Sequence, residues 1–148
     1  MVWRIFIEVF GLLHFNEVAN LHFDDISWTP IGFDLIIRKS KTDQHAKGSF
    51  VSISRNSNSL LCPVSLTLLY FKRFNIKHGF LLPSLKGHLP NYDSPLSYSK
   101  ALKDLRKSLK SVGIEPSGFG EHSGRGGGIT AAAASSLSSI SRVINWAV

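Results

Sequence analysis

A single cysteine stands among the 148 residues, so no internal disulfide can form and a disulfide-stapled scaffold is excluded. The six histidines are scattered and none shows a metal-site spacing, which argues against a structural zinc module. Acidic residues are scarce, ten against seventeen Lys and Arg, and paired carboxylates for glycosidase work have no visible context. No apolar run approaches the ~20 residues that a membrane span needs. The opening segment carries Glu8 and lacks a small-residue cleavage site, so it does not read as a signal peptide. Length fits one domain over residues 1–148, expected to be soluble and intracellular.

What is present is positive charge. The formal net charge is +7, and the excess is mostly C-terminal: residues 1–74 hold eight basic and six acidic side chains, residues 75–148 nine and four. A clustered basic excess points to a polyanionic partner, nucleic acid first, against the plain alternative of a generally basic protein.

The dense apolar opening predicts a mostly buried helix over 2–13. Asn16 is a plausible N-cap for a short helix from Glu17 to Leu21, with Glu17 in its first turn. Residues 28–32, with Pro30 and Gly32, read as a turn. Alternation over Phe33–Arg38 and Ser49–Ser54 predicts two strands, joined by a polar, basic connector carrying Lys39, Lys41 and Lys47. Cys62-Pro63 opens a helix running to about Ile76, with Leu66, Leu69 and Tyr70 on its buried side. Residues 79–96, with three Pro and two Gly, read as a loop. Ser97 caps a helix that ends before Gly113. On it Leu102, Leu105, Leu109 and Val112 form one stripe, while Lys100, Lys103, Lys107 and Lys110, flanked by Arg106, form another. A last helix is expected from the four alanines at 131–134, its first turn weakened by Gly126–Gly128.

The Gly-rich run is not a phosphate loop, because no strand precedes it and no Gly-Lys-Ser/Thr ends it. A Gly-x-Ser-x-Gly elbow for Ser/His/Asp hydrolysis is absent too. What remains is His122-Ser-Gly-Arg125, two side chains three apart that can grip one anion together. Alone that pair is a weak signal; its order along the chain strengthens it. Upstream come Gly11-Leu-Leu-His14-Phe-Asn-Glu17-Val, then Asp25-Ile26, then Ile37-Arg-Lys-Ser-Lys41-Thr, then Leu61-Cys-Pro-Val. Downstream, Trp146 follows Arg125 by twenty-one residues.

That ordered set resembles the catalytic domain of the tyrosine recombinases, the phage-integrase-like family, in the versions carried by eukaryotic mobile elements. The resemblance covers nearly the whole chain. It implies a mainly α fold of α+β type, a helical catalytic domain with a small β-hairpin or sheet. It further implies DNA integration and recombination, in which a tyrosine attacks a backbone phosphate and is held as a phosphotyrosine. Carried over, His122 and Arg125 would hold the scissile phosphate, Trp146 would donate its indole N–H to it, and Lys41, with Lys39 the alternative, would be the general acid. Lys39, Lys41, Arg125 and the face from Lys100 through Lys103 and Lys107 to Lys110 would bind DNA. No metal and no cofactor is implied. The implied partners are DNA and further recombinase protomers, with no membrane; the implied compartment is the nucleus if the chain is eukaryotic and the cytoplasm otherwise.

Two departures qualify the activity. His14 stands where the family has an Arg, and a neutral imidazole does not replace a guanidinium fork. Tyr70, Tyr92 and Tyr98 all precede the phosphate-binding box, whereas the family places its nucleophile after the final His or Trp. The expectation is therefore a truncated, inactive domain without the tyrosine helix or the N-terminal DNA-clamping domain. The alternative is a non-enzymatic DNA-binding or regulatory module on the same fold.

Overall fold

The computed structural model describes residues 2–38, 49–58, 61–120, 123–134 and 146–147. Helix α1 (Val2–Phe10) buries Trp3, Arg4, Ile7 and Glu8, positions three and four apart that share one face. It stops at Phe10 rather than at 13. Leu12 turns left-handed at φ 50°, and the Leu13 N–H reaches back to the Glu8 carbonyl at 3.1 Å, which closes the last turn.

Helix α2 (Phe15–Ala19) begins earlier than the Asn16 cap predicted, with His14 at the N-cap. The Glu17 carboxylate accepts from the His14 N–H at 2.8 Å, so a side chain inside the helix supplies the cap. A 3-10 turn, Phe23–Asp25, follows. Asp25 is buried; its carboxylate accepts from the His22 N–H at 2.8 Å and from Arg38 Nε at 2.5 Å.

Strands β1 (Ile26–Thr29), β2 (Gly32–Ile37), β3 (Ser49–Ser54) and β6 (Trp146–Ala147) form an antiparallel sheet in the order β1-β2-β3-β6. The turn expected at 28–32 shrinks to Pro30-Ile31, with Trp28 and Thr29 paired in β1. The predicted hairpin is present, its second strand over Ser49–Ser54 and its first shifted by one residue to Gly32–Ile37. Gly32 is required there. A Cβ would run into the Ile53 carbonyl oxygen and stand 2.8 Å from Ser54 Cα, so only a bare backbone lets β3 pass.

Pro63 starts helix α3 (Pro63–Phe74), which ends ahead of Ile76 because Asn75 adopts the left-handed conformation. Its buried face is Val64 and Thr67, with Tyr70 half-buried; Leu69, expected inside, is 60% exposed. Residues 79–96 are not a loop. Strands β4 (Pro83–Lys86) and β5 (Leu89–Pro95) pair antiparallel across Gly87-His88, with Gly87 at positive φ. Prolines are tolerated because both strands of a two-stranded ribbon are edges. Helix α4 (Tyr98–Ser111) matches its prediction, with Ser97 Oγ accepting from the Lys100 N–H. Ala101 and Leu105 are buried, whereas Val112 lies beyond the helix and is 69% exposed. Helix α5 (Ser123–Ala134) completes the described elements and packs on α1.

The expected mainly α fold is thereby corrected. Among the described residues the structure is 44% helix and 26% strand, with five helices and two small antiparallel sheets, because residues 26–29, 83–86 and 89–95 are extended. The core joins α1, β2, β3 and α3 through Trp3, Ile7, Phe33, Leu35, Val51, Ile53 and Val64. Within it Trp3 stacks on Tyr70 at 4.7 Å, and its indole N–H donates to Thr67 Oγ1 at 2.9 Å. Replacing Thr67 by Val keeps the volume but orphans that buried N–H. We expect a loss of about 1–3 kcal/mol in urea unfolding; an unchanged midpoint would mean the bond contributes nothing.

Candidate functional site

The first motif and the Gly-rich box meet in space. His14, at the N-cap of α2, and Arg125, in α5, lie 111 positions apart, and His14 Nε2 touches Arg125 NH1. A guanidinium can only donate, so the imidazole nitrogen is the acceptor. This contact orients the guanidinium rather than adding a second anion donor beside it. Arg125 is half-buried, and its Nε has no hydrogen-bond partner among the described residues.

Helix α5 reaches this position because of one glycine. A Cβ on Gly124 would collide with the Glu8 carboxylate and come within 2.8 Å of Glu8 Cβ, so α5 lies directly against α1 there. Gly126 and Gly127 meet nothing, so of these three only Gly124 has a packing reason. Upstream, Ser123 Oγ accepts from the Gly120 N–H at 2.8 Å, tethering the approach to the helix.

Glu8 is itself unusual. It is 3% exposed, and its Oε1 lies 3.2 Å from Arg4 NH1, yet this oxygen has no aligned hydrogen bond among the described residues. Burial pushes its carboxyl up to about 7, with the Arg4 charge opposing the shift. Arg4 also lies over the Phe15 ring, 5.4 Å from its centroid.

Lys103, Lys107 and Lys110 are exposed on α4, as their spacing predicted. Together with Lys100 and Arg106 they line a surface depression that Glu115 and Pro116 close. Lys100 is partly neutralised by Asp104 at 2.5 Å, so the positive charge without an ion pair among the described residues lies on Lys103, Arg106, Lys107 and Lys110. Lys39, Lys41 and His122 lie outside the described residues. The backbone of Trp146 pairs with Val51 at the sheet edge.

The described tyrosines are occupied elsewhere. Tyr70 donates to the Leu81 carbonyl at 2.8 Å, and burial raises its hydroxyl to about 12. Tyr92 donates to the Phe74 carbonyl at 2.9 Å, and Tyr98 packs edge-on against Phe15. Among the described residues no group of three or more His, Cys, Asp or Glu could hold a metal ion, and no helix is long and apolar enough to cross a membrane. Sequence reasoning missed Arg4 and Glu8, although charged residues at an i, i+4 spacing inside an otherwise apolar helix were a visible signal.

No known protein family, curated protein or solved structure matches this chain.

Two outcomes test this arrangement. Glu8 binds its proton more tightly folded than unfolded, so its contribution to stability is full below about pH 4.5 and is lost as pH rises toward 7. The loss should total about 3 kcal/mol in unfolding measurements across that window, and Glu8→Gln should remove it. Gly124→Ala should force α5 from α1 and cost about 1–3 kcal/mol. Equal stability of Gly124→Ala and the parent would show that the close approach does not matter.

Proposed function

We propose that this chain is a DNA-binding domain related to the tyrosine recombinases, retaining phosphate recognition. The observation that carries this reading is the contact between His14 and Arg125, which joins the first motif to the second box across 111 positions. The pre-oriented guanidinium is suited to a backbone phosphate, because its remaining N–H groups match phosphate oxygens in geometry and charge. The exposed Lys103, Arg106, Lys107 and Lys110 add a second cationic surface. His122, Trp146 and Lys41, or Lys39, would complete the phosphate site under the same reading. In a eukaryotic cell such a domain would work in the nucleus, on DNA and beside further protomers of its kind.

Strand cleavage by this chain alone is the less supported form of the reading. His14 accepts from Arg125 in place of holding phosphate, and the hydroxyls of Tyr70 and Tyr92 are bonded to carbonyls. This favours a binding or regulatory module on the same ancestry.

DNA affinity as a function of salt tests the proposal. Each phosphate contact contributes about −0.9 to the log–log slope. We expect a slope of four or more contacts, reduced by about one in Arg125→Ala and by about one for each of Lys103, Lys107 and Lys110 changed to Ala. A folded protein whose weak binding ignores salt would overturn it.

A further inference from the structure

We propose that the cavity beneath the β4–β5 hairpin binds a small monocarboxylate with an apolar or aromatic body, its carboxylate taken by Arg4. The cavity, of about 310 Å³, lies among α1, α3, α4 and the hairpin, and the size suits a small molecule rather than a helix. Its apolar wall includes Tyr70, Phe74, Leu82 and Leu85. Arg4 also lines it, is only 5% exposed, and has an Nε without a partner among the described residues.

The other charged and titratable groups facing the cavity are accounted for. The hydroxyls of Tyr70 and Tyr92 donate to main-chain carbonyls, the Asp104 carboxylate holds Lys100 Nζ at 2.5 Å, and His88 is exposed in the hairpin turn. Arg4 Nε is therefore the one buried side-chain donor on the wall without a partner among the described residues. Its counter-charge is Glu8, whose buried carboxyl is pushed up to about 7 and so is neutral in a large share of molecules near neutrality. A buried guanidinium that loses its partner is costly, and an incoming carboxylate restores the charge balance. One guanidinium within apolar walls suits one negative charge; a phosphate dianion would need further donors.

Calorimetric titration with 4-phenylbutyrate and with its neutral amide tests the assignment. The acid should bind at one saturable site about tenfold or more tightly than the amide, the preference expected of a charge-assisted contact. Arg4→Met should abolish that preference. Glu8→Gln should strengthen acid binding, because the guanidinium then has no competing carboxylate. Leu85 is 56% exposed at the wall, so Leu85→Glu should fold normally and repel the acid about tenfold. That variant decides the matter if Arg4→Met fails to fold. Equal affinity for acid and amide, no saturable binding, or acid binding indifferent to Leu85→Glu would overturn the proposal. So would self-association abolished by Leu85→Glu without ligand binding, which would give the cavity to a second copy of the chain.

Discussion

The Arg4–Glu8 pair is the constraint around which the helices are arranged. Both side chains are buried, at 5% and 3% exposure, on a helix whose other inward residues are apolar. A buried pair of this kind contributes little net stability, because removing two charges from water costs about what their attraction returns. What it fixes is geometry. Glu8 determines that α5 must offer a glycine where the helices touch, and Arg4 sets the charge on the wall of the neighbouring cavity. One face of α1 thus packs against α5, and the adjacent face borders the cavity.

The joining of His14 to Arg125 changes what the histidine means. Under the proposed recombinase reading, a histidine where that family has an arginine would be a lost phosphate ligand. In the fold it is an acceptor that holds the remaining arginine in one orientation. A guanidinium held in advance loses less conformational freedom when an anion arrives, which under the proposed reading would partly offset the missing donor. The cationic face of α4 is a different kind of feature: its lysines are solvated, and under the proposed reading their effect would be spread over several phosphates.

Legibility in the sequence followed the strength of the local signal. Helix α4 was readable from end to end because a serine cap, two clear stripes and a terminating glycine all agreed. The β2–β3 hairpin was readable because Phe33, Leu35 and Ile37, and Val51 and Ile53, recur at every second position. The β4–β5 ribbon was not, since Pro83, Pro90 and Pro95 normally signal loops and are acceptable only on strands with free edges, a property of the sheet and not of the segment. Leu69 was placed inside because leucine is usually buried, yet α3 turns Val64 and Thr67 to the core. The meeting of Arg125 with His14 could be guessed only from motif order; its geometry, with imidazole as acceptor, comes from the packing of α5 on α1. The Arg4–Glu8 spacing is visible in the sequence, but that both side chains are buried is decided by the packing of α1 in the fold.

The separation of 111 positions between the two halves of the site also bears on how the protein is made. Elements such as the β2–β3 hairpin and α4 are held by near neighbours in sequence and can form early. The arginine and its histidine meet only after a long loop has closed, and the entropy of that closure must be met by the α1–α5 interface. Formation of the His14–Arg125 contact and completion of the helical layer are therefore one event. A chain that has its sheets but not this interface would carry the same charges without a place that organises them.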